Sequence, residues 1–416
     1  MKLAAKYWVL ADQVVVSGGA FITNLLVARA LGITSYGLFS AILLAQLLVL
    51  SLLQAAFSGI MPVVWARLPL PARSAYASGL FWMHAGILCA VLVLGGLLYA
   101  MWPQWWQAGA SVWWPALLAA VLYFLQDYLR RWMLATEAAP RALIMDVISN
   151  GAQLLLLLAG WWQGWLRLHH CLWIIALTFL PSVLLGLWWL RPGRPQWAHM
   201  RMATRQHVPS AKWMLSSALL QWTAGNYYIL AAGWWLGPAA LGALRLAQYI
   251  FGLLNVLLQA LENYALPGAA RLHQAPQQLF AFLLKMLRQL AMLFVPLLLL
   301  LVLLRQTTMQ LAGGTAFVPY SYVMVGMALL YVFVLIGYPV RLALRVQLLN
   351  KHYFIGYVIT TVFSMLTARL LVGQWGLAGV LAGMISAQCI LLLYWLYILS
   401  SKNRISWKSF TWYLGK

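Results

Sequence analysis

Long apolar runs separated by short polar breaks make up the chain from end to end. Leu38 to Val64 and Phe280 to Leu304 are two such runs, each more than twenty residues long and predominantly apolar. A run of about 20 apolar residues crosses the hydrocarbon core of a bilayer as a helix. No water reaches the backbone there, so only helices or closed barrels can span it. The runs show no strict polar–apolar alternation, which rules out a barrel. The pattern predicts about twelve transmembrane helices, at 8–31, 37–65, 75–101, 112–135, 141–163, 168–190, 210–236, 240–268, 278–304, 316–343, 352–372 and 377–400. Pro and Gly mark the breaks: Leu68-Pro69-Leu70-Pro71, Gly237-Pro238 and Gly313-Gly314. The longest break, 191–209, is basic and holds Pro192 and Pro195. It divides the chain into an N-terminal six-helix lobe at 1–190 and a C-terminal six-helix lobe at 210–400, followed by a tail at 401–416.

Composition agrees with an all-α integral membrane fold. Of the 416 residues, 64% are hydrophobic and 8% charged, and the mean hydropathy is +0.85. A soluble domain carries about 25% charged residues. The charge is lopsided, with 27 Lys and Arg against 5 Asp and Glu. Such a surplus in a soluble protein would point to nucleic acid, but no basic domain lies outside the apolar runs, so nucleic acid is excluded as a partner. Basic residues instead mark the cytoplasmic loops of membrane proteins. With the N-terminus in the cytoplasm, 22 of the 27 basic residues fall on the cytoplasmic side. Only Arg29, Arg167, Arg245, Arg305 and Arg369 fall toward the other face. The expectation is a multi-pass protein with both termini cytoplasmic. Insertion is expected through the first helix, without a cleaved leader. Cys89, Cys171 and Cys389 lie far apart within apolar runs and read as packing residues. The basic and aromatic tail, with Lys402, Trp407, Lys408 and Trp412, reads as a helix on the membrane surface. Clusters such as Trp102, Trp105 and Trp106, Trp161 and Trp162, and Trp234 and Trp235 read as interfacial belts.

Sliding the sequence against itself by 205 residues aligns Gly32 with Gly237, Gly37 with Gly242, Gln54 with Gln259 and Pro62 with Pro267. These four pairs share one register, which marks an internal repeat. Each half has an even number of helices, so the halves face the same way. The pseudo-twofold axis relating them is expected along the membrane normal, with a central cavity between the lobes.

The first hairpin carries a family pattern. Asp12-Gln13, Ser17-Gly18, Phe21 and Asn24 precede Ala28-Arg29-Ala30-Leu31-Gly32 and Tyr36-Gly37-Leu38-Phe39. The second half has Leu236-Gly237-Pro238 with Leu241-Gly242, and the last helix follows Gly373-Gln374-Trp375-Gly376-Leu377-Ala378-Gly379-Val380. Together these segments resemble Wzx-type polysaccharide flippases of the multidrug/oligosaccharidyl-lipid/polysaccharide (MOP) superfamily, which includes the MATE transporters. The resemblance implies a MATE-like bundle of two six-helix lobes. It also implies movement of a polyprenyl-pyrophosphate-linked oligosaccharide from the cytoplasmic to the periplasmic leaflet, for surface polysaccharide such as O-antigen or lipopolysaccharide, in a bacterial inner membrane. Lipid II flippases of this superfamily carry extra arginines in the middle of helix 1. The stretch Ser17 to Asn24 has none.

A pyrophosphate head group crosses a bilayer at lower cost in a cationic, water-filled cavity, and the forked donors of Arg suit it. Arg29 and Arg245 are the candidates for holding that head group, against the alternative that Arg29 is an interfacial arginine that snorkels or caps the hairpin. Asn24, Asn226 and Gln259 could meet sugar hydroxyls or bond between helices. Arg130, Arg131, Arg341 and Arg345 are candidates for a cytoplasmic entrance, against the alternative that they only follow the charge rule for topology. Helical spacing sets Asp127 beside both Arg130 and Arg131. Asp146 could complete a cluster with Arg141 or Arg131. Glu262, Asp127 and Asp146 are the candidates for ion coupling, or else simple pair partners. Arg369 is a weaker head-group candidate, and His84 reads as a packing histidine.

No phosphate-binding loop, metal motif or soluble catalytic domain is present in the sequence, so no cofactor, metal or ATP motor is expected. A MATE-type exporter of organic cations is the alternative within transport, but it would call for acidic cavity residues. From another class, a membrane glycan polymerase or glycosyltransferase would need a large periplasmic loop or acidic catalytic residues. The partners expected are the lipid bilayer, the lipid-linked oligosaccharide, and the polysaccharide polymerase and chain-length proteins.

Overall fold

The computed structural model describes residues 3–101, 109–272 and 275–401. The described residues are helical and contain no strand. In order, the helices are α1 Leu3–Leu53, α2 Met61–Arg67, α3 Leu70–Met101, α4 Ala110–Ala135, α5 Ala139–Trp162 and α6 Leu168–Leu190, followed by α7 Trp197–Leu236, α8 Pro238–Arg271, α9 Pro276–Leu303, α10 Arg305–Gly313, α11 Val323–Val346 and α12 Asn350–Ser401. Nine stretches of the described residues are long and apolar enough to cross a membrane. Two of them hold a pair of spans, because α1 breaks at Gly32 and α12 at Gly376. The more polar α7, 40 residues long, is also long enough to include a span. The protein is therefore a multi-pass membrane protein.

Single glycines make the breaks that the sequence reading drew as short loops. Gly32 has φ 71° and ψ 173°. Gly237, its partner in the repeat, has φ 90° and ψ 175°. An L side chain is strained in this region of φ, so the repeat preserves a backbone conformation as well as a residue type. The helix expected at 316–343 starts later, at Val323. Gly314, at φ 91°, ends the added helix α10, and Thr315–Tyr320 forms a 3-10 turn containing Pro319.

The chain divides into two compact units. Met1–Leu31 and Ile42–Leu219 form the first, and Gly32–Ala41 and Leu220–Lys416 the second. The stretch 191–209, expected as a linker, is non-helical only as far as Gln196, and Trp197 opens α7. In the first unit, α4 packs on α3, α5 and α6 around Phe57, Tyr76, Leu80, Phe124, Tyr128 and Met145. A π-helical turn at Gln54–Ser58 leaves the Ala56 carbonyl to accept a hydrogen bond from His207 Nδ1 at 2.9 Å. With that nitrogen protonated, Nε2 of the neutral ring accepts from the Tyr76 hydroxyl at 2.7 Å. In the second unit, α11 packs against α8, α9 and α12. At its hairpin, Gly37 meets the Pro238 backbone and Gly242 meets the Ile33 carbonyl.

Large apolar side chains such as Leu303 and Leu366 are exposed, as expected of surfaces that face lipid. Trp162 and Trp234 are exposed at or near helix ends, where interfacial belts occur. The tail from 402 onward, and Trp102, Trp105 and Trp106, lie outside the described residues.

Candidate functional site

Charge inside an apolar bundle is costly unless it is paired and hydrogen-bonded. Among the described residues, each unit contains a cluster of this kind, and the first contains a further ion pair beside it. In the first, Arg130 on α4 bridges α1 and α5. Its Nη2 donates to Asp12 Oδ2 and its Nε to Asp146 Oδ2, both at 2.5 Å. Gln126, one turn earlier on α4, donates to Asp146 Oδ1 at 2.7 Å. Asp12 and Asp146 are 1% and 2% exposed. Asp12 Oδ1 is buried with no hydrogen-bond partner among the described residues.

This arrangement corrects one expectation about Asp127. Asp127 accepts from Arg131 Nε at 2.9 Å and from Gln54 at 3.1 Å, whereas Arg130 turns away to Asp12 and Asp146. The partner of Asp146 is Arg130, not Arg141 or Arg131. A polar seam continues along α1 and α5, where Asn150 lies against Gly19 and Gln153 Nε2 donates to Thr23 at 2.7 Å.

In the second unit, Glu262 on α8 takes both arginines of α11. Arg341 Nη2 donates to Glu262 Oε2 at 2.6 Å, and Arg345 donates to Oε1. The Arg341 guanidinium also lies over the Tyr338 ring, 4.4 Å from its centroid. Arg341 lines a cavity of about 330 Å³ enclosed by α7, α11 and α12.

The head-group candidates are divided between the units. In the first, Arg29 is exposed, with its guanidinium 5.7 Å from the Trp161 ring centroid. Asn24 is buried and donates to the Ala20 carbonyl of its own helix. In the second, Arg245 is buried and held by its own helix. It donates to Gln248 at 2.8 Å and to Tyr249 at 3.1 Å. Asn226 donates to the Trp222 carbonyl, and Gln259 is exposed. Arg245 and Gln259 are separated along α8 by a rise of about 21 Å. Arg369 is exposed near the middle of α12. His84 is buried and stacks on Tyr128, with ring centroids 4.5 Å apart.

Residue-by-residue reading left several site residues unassigned. Asp12 was legible as a carboxylate in the first apolar run, but its partner was not. Gln126 and Tyr338 gave no separate signal, because amides and tyrosines are common near the ends of membrane helices.

Several solved structures share this fold. Residues 116–322 match the family model described as "Polysaccharide biosynthesis protein", a span just short of half the chain. The structure of a lipid II flippase, MurJ, in an inward closed conformation superposes with a TM-score of 0.70 at 14% identity, over 95% of this chain and 87% of that one. An inward-facing MATE multidrug transporter of the MOP superfamily gives 0.67 at 15% identity, over 95% and 96%. A MOP-superfamily transporter from Pyrococcus furiosus, described as having a binding pocket of reverse polarity, gives 0.53 at 15% identity, over 95% and 92%. No curated protein matches the sequence. The chain thus has the MOP-superfamily fold, as the first hairpin implied.

Proposed function

We propose that this protein is a flippase that carries a polyprenyl-pyrophosphate-linked oligosaccharide from the cytoplasmic to the periplasmic leaflet of a bacterial inner membrane. Both termini lie in the cytoplasm. The product feeds surface polysaccharide such as O-antigen or lipopolysaccharide, and the polymerase and chain-length proteins act after it. Together with the polysaccharide-biosynthesis match, one observation carries the reading. Asp12, Asp127, Asp146 and Glu262, the carboxylates within the described helices, each contact an arginine.

That observation separates the flippase from a drug exporter of the same fold. An organic cation needs an unpaired carboxylate in its path, and here the carboxylates are engaged while basic residues remain in excess, 27 against 5. The anionic head group needs the opposite polarity. The transport cycle is alternating access of the two lobes. Arg29 and Arg245 hold the head group, with Asn24, Asn226 and Gln259 available to its sugars. Arg130, Arg131, Arg341 and Arg345 form the cytoplasmic approach. Proton or ion coupling belongs to the carboxylate clusters.

Deletion of the gene tests this reading. Lipid-linked oligosaccharide should accumulate on the cytoplasmic leaflet, and surface polysaccharide should fall. Unchanged polysaccharide together with heightened sensitivity to cationic drugs would favour the exporter.

A further inference from the structure

The cavity within the second unit is built for more than packing. Its walls are α7, α11 and α12, and its polar lining includes Gln221, Arg341, Tyr357, Thr360, Gln388 and Trp395. The Gln221 and Gln388 amides make no hydrogen bond among the described residues, and the buried Trp395 indole N–H likewise has no acceptor there. Gln388 is half-buried and Gln221 exposed, and both amides are available to a polar ligand that enters the cavity. Two glycines keep the space open. A Cβ on Gly225 would meet nothing within 4 Å, and one on Gly337 would come no closer than 3.5 Å to Gln388.

The charge beside the cavity is also defined. Arg341 and Arg345 share one carboxylate, Glu262, which leaves a single positive charge unbalanced. Arg341 commits Nη2 to Glu262 and lies over the Tyr338 ring, and the one surplus positive charge of the pair matches a single carboxylate better than a doubly charged phosphate. Aromatic rings give the apolar contribution: Tyr353 and Trp395 stack with centroids 5.3 Å apart and Tyr357 meets Trp395 edge-on. Amides, one surplus cation and aromatic rings together recognise a polyhydroxylated ring that bears one negative charge. A volume of about 330 Å³ lies at the small end of ligand cavities, enough for a sugar ring or two and not a whole oligosaccharide.

We propose that this cavity is a binding subsite for an acidic sugar, a hexuronate-like ring whose carboxylate meets Arg341 and whose hydroxyls meet Gln221 and Gln388. The proposal rests on the flippase reading only in making the acidic sugar part of the cargo glycan. The subsite itself is defined by its own chemistry.

The test uses the full chain in phosphatidylcholine nanodiscs and saturation-transfer NMR with sodium glucuronate and glucose as observed probes and inorganic phosphate as a competitor. Glucuronate should give a saturable signal, with glucose weaker by about tenfold, and phosphate should displace glucuronate only at about tenfold higher concentration. Gly225→Leu, which fills the cavity from an open position, should abolish the glucuronate signal, and Gln388→Ala should weaken it about tenfold. Circular dichroism and thermal unfolding of both variants establish that they are folded. An equal signal from glucose, displacement of glucuronate by an equal concentration of phosphate, or an unchanged signal in folded Gly225→Leu would overturn the proposal. Loss of glucuronate binding on adding phosphatidylglycerol to the discs would also overturn it, by making the site one for a lipid head group. Failure here, with lipid-linked oligosaccharide still accumulating in the deletion strain, would remove the subsite and leave the flippase standing.

Discussion

Arg130 reaches Asp12 across 118 residues of sequence, Nη2 to Oδ2 at 2.5 Å, and so ties α1 to α4 inside the first unit. The same guanidinium ties α5 through Asp146. One cation therefore answers two buried carboxylates, and removing it leaves both without a counter-charge. Breaking a buried pair from one side costs about 3–5 kcal/mol. Arg130→Ala should lower stability by about that amount, whereas Asp12→Asn, which leaves Arg130 and Asp146 balanced one to one, should cost less than half as much. Thermal unfolding in detergent checks the order of the two. Equal losses would mean that Arg130 does not hold the two carboxylates together.

Glu262 is the counterpart in the second unit. Glu262→Gln leaves Arg341 and Arg345 as like charges one helical turn apart. Arg345 is half exposed, so water screens much of the repulsion. The expected loss is about 1–2 kcal/mol, smaller than for Arg130→Ala. Restoring stability by adding Arg345→Gln to Glu262→Gln would show the coupling directly, as a double-mutant cycle.

Close packing at the hairpin makes a sharper steric prediction. A Cβ at Gly37 would run into the Pro238 backbone, and one at Gly242 into the Ile33 carbonyl. Gly37→Ala and Gly242→Ala should each cost about 1–3 kcal/mol through overpacking. Gly225→Ala meets nothing and should be neutral or slightly stabilising. Yield of folded protein after membrane extraction separates the two classes.

The repeat predicts matched effects. Gly32 and Gly237 hold nearly the same positive-φ conformation. Alanine at either position should cost about 1–3 kcal/mol, with the two losses close to each other. A large loss at one and none at the other would mean that the shared backbone geometry is incidental.

Much of the fold was legible because the bilayer imposes one length and one periodicity on its helices. That constraint located the spans and the break near Gly237. It could not separate loops from single-glycine kinks, since Gly32 and Gly376 interrupt helices that are otherwise continuous. The clusters were less legible. Sequence spacing ranks partners one turn away and therefore assigned Asp127 to both Arg130 and Arg131. The bundle instead supplied Asp12 and Asp146 from other helices, which only packing reveals. Glu262 was open to pairing or ion coupling from the start, but its partners, Arg341 and Arg345 on another helix, are supplied only by packing. The cavity beside Arg341 needs three helices to enclose it, so no local pattern announces it.

Transport itself is measured most directly in proteoliposomes containing the purified protein and a polyprenyl-pyrophosphate-linked oligosaccharide. A membrane-impermeant enzyme that cleaves the exposed glycan reports how much substrate reaches the outer leaflet over time. The account predicts that the protein carries the inner-leaflet fraction outward, and that Arg245→Ala slows this while leaving the amount of protein unchanged. Outward movement no faster than in protein-free vesicles would contradict it.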